Sequence, residues 1–197
     1  DWAVVNKPVG VSCFHKHTTE KIRKGSDVSL EHALLTTVNT ISTLNRSLVH
    51  RLDRGTSGCL VLAKNNETHA KLVTDFFLRR IVKTYLCLVV PAPSIDTGVL
   101  ELPVDNRPAH SEFSVMERLD DAALVQVRTV TGRKHQVRVH CAKGLNAPIL
   151  GDDVYGGEEP SHMMFLHAAG LTVDQQTIEA PLPSFWDAEL DKFRSDR

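Results

Sequence analysis

Short apolar segments, separated by turn-forming residues, dominate the pattern of hydrophobic and polar positions along the chain. They are rich in Val, Leu and Ile, and many end at Gly or Pro, which is typical of β-strands and the turns between them. On this basis we predict strands at residues 3–5, 47–51, 59–63, 84–90, 110–117, 123–130, 163–168 and 171–173.

Three other segments have features of an amphipathic or capped helix. The first covers residues 29–41, and the second begins at Asn65 or Asn66, either of which can cap a helix, and runs to residue 80. The third covers residues 134–144 and ends at a glycine suited to a left-handed cap. The polar residues 15–27 are predicted to form a loop. Because strands outnumber helices and come in hairpin-like pairs, the sequence predicts an α+β fold: a mainly antiparallel sheet with flanking helices.

Length and composition favour one domain. The chain has 197 residues, 42% of them hydrophobic, and we assign residues 1–197 to a single domain. Its 23 Lys and Arg side chains are balanced by 24 Asp and Glu, so any basic surface for nucleic acid must be local. The four cysteines stand far apart with no Cys-x-x-Cys pair, so we interpret them as reduced core residues and not as a zinc site or a disulfide framework.

No apolar run approaches the ~20 residues that a membrane-spanning helix needs, so we expect no membrane partner. The first residues resemble neither a signal peptide nor a basic transit peptide. They enter a strand-like run at once, which is compatible with a missing upstream segment, including a mitochondrial targeting segment. The sequence therefore leaves the compartment open between the cytoplasm and an organelle.

The most informative stretch is His-Arg-Leu-Asp-Arg-Gly-Thr-Ser-Gly at residues 50–58. Its Asp53 stands between Arg51 and Arg54, in a loop between two predicted strands. Two nearby positive charges favour the ionised carboxylate, which a nucleophile or a general base needs. A structural ion pair in a tight turn explains the same residues equally well. The residues alone leave both interpretations open.

The same stretch resembles the His-Arg-Leu-Asp-x-x-Thr-Ser-Gly signature of the RluA-type RNA pseudouridine synthases, and it matches every specified position. Companion motifs follow in the family's order at residues 6–10, 83–85, 132–140, 148–152, 166–168 and 180–183. The resemblance covers residues 3 to about 187. It implies a two-lobed pseudouridine synthase-like catalytic domain that isomerises specific uridines in RNA, with a catalytic aspartate in the cleft.

Carried over to this chain, the resemblance implies that Asp53 is the essential aspartate. It would attack the ribose or remove its 2′ proton while uracil detaches, rotates and rejoins through carbon 5. Tyr85 corresponds to the tyrosine that packs on the target base and assists the final proton removal; without the motif it would read as an ordinary strand aromatic. Arg138 lies where the family has the arginine that pairs with the aspartate.

Further residues are expected to bind the substrate. Arg51 and Arg133 look like contacts to RNA phosphate or supports of loop structure, and Leu166 resembles an aliphatic residue that lines the base pocket. A local positive rim is expected from basic residues near the cleft, namely Arg79, Arg80, Lys83, Arg107, Arg133 and Lys143.

We assign no metal and no cofactor. His135 and His140 are five residues apart, which does not suit metal ligands on one helical face, and isomerisation needs neither a redox change nor an energy source. His167 stands in an apolar run and is interpreted as a hydrogen-bonded core histidine. Asp152 follows a glycine and is interpreted as a turn residue.

Two other functions compete with this one. An N-glycosidase would hydrolyse the bond, but glycoside hydrolysis ordinarily uses two carboxylates and the matched motifs offer one. The other is a noncatalytic RNA-binding or ribosome-assembly factor on the same fold. The partner expected is RNA, ribosomal or transfer RNA foremost. The segment 102–107 is shorter than in many family members and no S4-type RNA-binding domain is present, so target choice is expected to rest on this domain, flanking sequence or a partner.

Overall fold

A computed structural model describes residues 1–14, 29–38, 46–156 and 163–194. Its elements, in chain order, are β1 (Trp2–Lys7), α1 (Leu30–Thr37), β2 (Ser57–Ala63), α2 (Asn66–Phe77), β3 (Val82–Val89), β4 (Thr97–Leu100), β5 (Ser111–Arg118), β6 (Ala123–Thr129), α3 (Gln136–Val139), β7 (Leu166–Val173), β8 (Gln176–Glu179) and α4 (Phe185–Phe193). A π-helical turn, His140–Gly144, continues α3 directly.

The strands form one eight-stranded sheet in the order β1-β2-β7-β3-β6-β5-β4, with β8 paired to β7. Every pair in it is antiparallel except β2 with β7, which is parallel. The predicted α+β fold with a mainly antiparallel sheet is confirmed.

Residues 47–51 do not form the predicted strand. Leu48 makes only an isolated bridge, to Leu62 of β2. The reason is that the carboxylate of Glu31 accepts hydrogen bonds from the backbone N–H of Ser47 at 2.6 Å and of Leu48 at 3.1 Å. A side chain from α1 thus satisfies donors that a strand ladder would use.

Other differences concern short or merged elements. The two strands expected at 163–168 and 171–173 are one strand, β7, which begins only at Leu166. Gly170, between the two expected strands, pairs with Thr84 of β3 and with Glu179 of β8. The sequence did not predict β4, β8 or α4. The two strands have four residues each and so show little alternation, and α4 lies in the proline-bounded tail.

The helices begin and end where backbone conformation and caps require. Asn65 caps α2 by accepting a hydrogen bond from Thr68 N at 2.8 Å. His135 has φ 57, so α3 starts after it and not at residue 134. The left-handed cap expected at Gly144 is wrong, since positive φ occurs instead at Asn146.

Ser29 caps α1. The part of this predicted helix beyond residue 38 and the predicted loop at 15–27 lie outside the described residues.

The parallel junction of β2 and β7 holds the last two residues of the signature segment: Ser57 pairs with His167, and Gly58 pairs with Ala168. All residues of β2 are buried. Gly58 has φ 109, and a Cβ there would lie 2.2 Å from the carbonyl oxygen of Ala168. Only glycine permits this approach, so the last residue of the signature fixes how the preceding loop meets β7.

Candidate active site

A cleft of about 670 Å³ contains every site residue predicted from the sequence. Its lining includes Asp53, Tyr85, Arg138, Arg51, Arg133 and Leu166. These residues come from the loop before β2, from β3, from α3 and the loop before it, and from the start of β7. The fold therefore brings together side chains that are up to 115 positions apart in the sequence, Arg51 and Leu166.

The N-terminal motif clamps the loop that carries Asp53. Gly10 N–H donates to Arg54 O at 2.8 Å, and Arg54 Nε donates back to Gly10 O at 2.8 Å. Thr56 N–H donates to Asp53 O at 3.1 Å and closes the turn. Arg54 is thus held by a backbone carbonyl, and neither it nor Arg51 has a nitrogen within 4 Å of an Asp53 oxygen in the described part of the chain. Among the described residues, the nitrogens that lie within 4 Å of the Asp53 carboxylate belong instead to His135 and Arg138.

Lys7 lies fully buried beneath the same loop. Its Nζ donates to the carbonyl oxygens of Pro8 and Val11 at 2.8 Å and of Arg54 at 3.3 Å. Burial lowers the pKa of Lys7 to about 8, while the charges of Cys13 and Asp53 act in the opposite direction. The sequence suggested no role for this lysine beyond its place in the motif.

Arg138 lies among three carboxylates, those of Asp53, Asp152 and Asp153. Its Nε and Nη2 donate to Asp152 Oδ2 and Oδ1 at 2.7 and 2.5 Å, and Nη2 is 3.1 Å from Asp153 Oδ1. Its Nη1 is 3.8 Å from Asp53 Oδ2, longer than a hydrogen bond. Asp152 also accepts from the backbone N–H of Tyr155 at 3.0 Å, as a turn residue does, and it is 3% exposed. Its turn role is confirmed, but its bidentate bond to Arg138 was not foreseen.

His135, whose spacing from His140 does not suit a metal site, is a second neighbour of Asp53. Its Nε2 lies 3.7 Å from Asp53 Oδ1, and its Nδ1 lies 3.2 Å from the hydroxyl of Tyr155. Burial lowers the pKa of His135, although the nearby Asp53 acts in the opposite direction. The signal that could have found it is its position before Gln136 in the same motif as Arg138.

Tyr85 reaches the cleft because the β3–β7 pairing is irregular at its position. Thr84 pairs with Gly170 and Leu86 with His167, so Tyr85 has no partner in β7. Such irregularities redirect a side chain out of the regular alternation. Burial strongly raises the pKa of the Tyr85 hydroxyl, and the charge of Asp53 raises it further. Leu166, 3% exposed, adds an apolar surface to the same cleft.

Several cations that line the cleft have no acidic partner among the described residues. Among the cleft-lining cations, those with no carboxylate within 4 Å in the described part of the chain are Arg51, Arg79, Lys83, Arg133 and Lys134. Arg133 Nε donates to Pro108 O at 3.0 Å, and Lys83 Nζ donates to Thr131 O at 3.0 Å. Burial lowers the pKa of Lys83 to about 8. Of the other predicted rim residues, Arg80 pairs with Asp75, and Arg107 and Lys143 do not line the cleft.

Two buried histidines have structural partners. His167 is fully buried, with Nδ1 2.8 Å from Ser57 Oγ and Nε2 3.1 Å from Ala180 O, which confirms it as a hydrogen-bonded core residue. His140 bridges Ser111 Oγ and Leu102 O, each at 2.9 Å. In the described ranges, no three His, Cys, Asp or Glu side chains are grouped as ligands for a metal ion.

All four cysteines are buried and free, as predicted. Over the same described ranges, the helices are too short or too polar to cross a lipid bilayer.

Comparison with known proteins assigns the family. Residues 1–143 match the family model described as RNA pseudouridylate synthase. The chain is 32% identical over 203 residues to an uncharacterized RNA pseudouridine synthase of Zymomonas mobilis, covering 91% of this chain and 89% of that protein. It is also 32% identical over 212 residues to the ribosomal large subunit pseudouridine synthase C of Rickettsia conorii, covering 94% of this chain and 67% of that protein.

The fold agrees with this assignment. The solved structure of human RNA pseudouridylate synthase domain containing 4 superposes with a TM-score of 0.78 at 24% identity, covering 98% of this chain and 89% of that one. The chain therefore belongs to the RNA pseudouridylate synthase family, whose reaction is the isomerisation of uridine in RNA to pseudouridine.

Proposed function

We propose that Asp53, Tyr85 and Arg138 carry out this isomerisation within one catalytic domain, on a uridine of ribosomal RNA. The single observation that carries the proposal is the convergence of these three side chains, from three different elements, on one cleft. Asp53 is the nucleophile or base, since its side chain is 20% exposed and so remains open to a substrate.

The reaction breaks the bond between C1′ of the ribose and N1 of uracil and forms one between C1′ and C5. Asp53 either attacks C1′ or takes the 2′ proton, and the freed uracil turns before it rejoins. Arg138 keeps a positive charge 3.8 Å from Asp53 while the carboxylate changes its charge. Asp152 fixes the orientation of that guanidinium through two hydrogen bonds.

Tyr85 acts mainly through its ring. Because burial and the charge of Asp53 both raise the pKa of its hydroxyl, the phenol stays protonated at neutral pH. It can therefore take the C5 proton only as a relay that gives up its own proton in the same step. With Leu166 it forms an apolar surface on which an extruded base can pack.

RNA binding is supported by the cations at the cleft. Arg51, Arg133 and Lys134 have no carboxylate partner among the described residues, so their charges are available to phosphates. This local arrangement is how a chain of net charge −1 can attract RNA. Ribosomal RNA is the proposed substrate because the Rickettsia relative is named for the large ribosomal subunit.

The test uses unmodified ribosomal and transfer RNA transcripts that carry tritium at C5 of uridine. Each isomerisation releases one tritium to water and leaves a pseudouridine that sequencing can locate. We expect release from ribosomal RNA by the wild-type chain. For Asp53→Asn we expect a loss on the order of 1000-fold or more, with RNA affinity nearly intact. Asp121→Asn, at an exposed aspartate outside the cleft, is the matched control.

Other outcomes identify the rival functions. Free uracil and an abasic site would indicate an N-glycosidase, and tight binding without tritium release by the wild-type chain would indicate a noncatalytic RNA-binding or assembly factor. Release from transfer RNA alone would overturn the ribosomal assignment. If Asp53→Asn turned over at the wild-type rate, the assignment of Asp53 as the catalytic residue would be overturned.

A further inference from the structure

Phe77 is the most exposed large hydrophobic side chain in the described part of the chain, at 84%. It is the last residue of α2, and it lines the same cleft as Asp53. Single exposed apolar residues on a surface are ordinary, but an aromatic ring open to solvent within a functional cleft is a candidate contact.

The backbone beneath Phe77 is held firmly. Its neighbour Phe76 packs on His50 with ring centroids 4.6 Å apart, and His50 is only three residues before Asp53. Leu78 N–H donates to Thr74 O at 2.8 Å, which completes the helix. The end of α2 is therefore fixed beside the signature segment, and the Phe77 ring needs no rearrangement of the fold to meet a ligand.

The charged residues near Phe77 differ in whether they have a partner of opposite charge. Asp75 pairs with Lys71 at 2.9 Å and with Arg80 at 3.3 Å. Arg79 lines the cleft with Phe77 and has no carboxylate within 4 Å among the described residues. Its φ of 59 turns the chain sharply between Phe77 and Arg80. An aromatic face and an uncommitted guanidinium thus lie within two residues of each other at the cleft.

We propose that Phe77 and Arg79 form a subsite for a nucleotide that flanks the target uridine, with its base stacked on the Phe77 ring and its phosphate on Arg79. This inference rests on the proposed RNA substrate. A base has two π faces, and extruding the target uridine removes a stacking neighbour from the nucleotide next to it. Stacking on an aromatic side chain replaces that contact whatever the base is.

The test measures binding of fluorescein-labelled 12-nucleotide RNAs with one central uridine. In each member of the set, one other nucleotide is made abasic while its ribose and phosphate remain. We expect Phe77→Ala to weaken binding of the intact RNA about 10-fold, as for the loss of one stacked base, and Phe77→Trp to restore it. Leu78→Ala is the control, because Leu78 is also exposed but does not line the cleft.

Two further readouts identify the contact. At one position beside the uridine, removal of the base should weaken binding to the wild-type chain about as much as Phe77→Ala does, and the two changes together should add nothing further. Phe77→Ala should leave the salt dependence unchanged, whereas Arg79→Ala should reduce its slope by about one charge.

The inference is overturned if Phe77→Ala binds the intact RNA as the wild type does, or if its loss is the same for every abasic RNA. It is also overturned if a 12-residue polyglutamate competes for binding and depends on Phe77 to the same extent, because the site would then fit an acidic peptide. A turnover defect in Asp53→Asn is independent of these binding data, so the two proposals can fail separately.

Discussion

The guanidinium of Arg138 links Asp152 to Asp53: it binds Asp152 at 2.7 and 2.5 Å, and its Nη1 lies 3.8 Å from Asp53 Oδ2. Asp152 is buried, whereas the Asp53 side chain is 20% exposed. The strong bidentate pair is therefore the one away from solvent, and it leaves one nitrogen of Arg138 for the carboxylate that can meet substrate. We infer that Asp152 is a positioning residue for the site.

Asp152→Asn tests this role. The amide keeps an acceptor for the turn but loses the charge and one of the two hydrogen bonds to Arg138. We expect the single-turnover rate at saturating enzyme to fall about 10- to 100-fold, with unchanged RNA affinity. The rate is divided by the folded fraction of the protein, which circular dichroism measures. A loss of stability alone then leaves the corrected rate unchanged. Asp153→Asn is the control, because Asp153 contacts the same guanidinium at 3.1 Å but its side chain is 64% exposed. Equal rates for the two variants would contradict the positioning role.

Arg138 and Arg133 should separate catalysis from binding. Arg138 is buried beside Asp53, so Arg138→Ala should lower the saturated rate on the order of 100-fold and change RNA affinity little. Arg133 has no acidic partner in the described ranges, so Arg133→Ala should weaken binding and reduce its salt dependence by about one charge. Single-turnover rates beside affinities at two salt concentrations decide between the roles. If the saturated rate falls strongly in Arg133→Ala and stays at the wild-type value in Arg138→Ala, the catalytic and binding roles of the two arginines are the reverse of those proposed.

The sequence predicted the fold class and the residues of the cleft, but not their contacts. Two separate motifs, at residues 50–58 and 132–140, pointed to Asp53 and Arg138. They could not reveal that Arg54 is held by Gly10 O, since that contact joins residues 44 positions apart. Asp152 looked like a turn residue because its turn bonds are local, while its bond to Arg138 forms only after the chain has folded.

The prediction of secondary structure from the sequence failed where a side chain, and not a neighbouring strand, forms hydrogen bonds with the backbone. The apolar run near Leu48 has strand composition, yet the carboxylate of Glu31 occupies its amides. Similarly, the left-handed backbone at His135 delays the start of α3 and turns that imidazole toward Asp53. Local propensity contains no information about either contact.

Gly58→Ala should strongly destabilise the fold. A Cβ at Gly58 would meet the backbone oxygen of Ala168 at 2.2 Å, and the φ of 109 is unfavourable for alanine. We expect a loss of about 3 kcal/mol or more in the free energy of unfolding, measured with urea. Gly170→Ala in β7 is the matched control, because its Cβ would meet Thr84 at an ordinary 3.6 Å. Similar stabilities for the two variants would contradict the close approach of β2 and β7.

His50 should make the stability depend on pH. Burial lowers the pKa of His50 to about 3, with a smaller effect from the charge of Lys83. Its Nε2 accepts a hydrogen bond from Val61 N–H at 3.0 Å, and Phe76 covers its ring, so the neutral form is the one that fits.

The sign follows from the two protonation states. Between about pH 6.5 and pH 3, His50 is protonated in the unfolded chain but neutral in the folded chain. The stability that the folded protein has above pH 6.5 is therefore lost progressively as the pH falls to about 3. The contribution of His50 is at most about 1.4 kcal/mol per pH unit. His50→Gln keeps an acceptor for Val61 and cannot titrate. Its urea unfolding free energy should therefore fall less steeply than that of the wild type between pH 6.5 and 4.5, whatever its value at pH 7. Parallel slopes for the two proteins would mean that His50 is protonated in the folded state or titrates alike in both states.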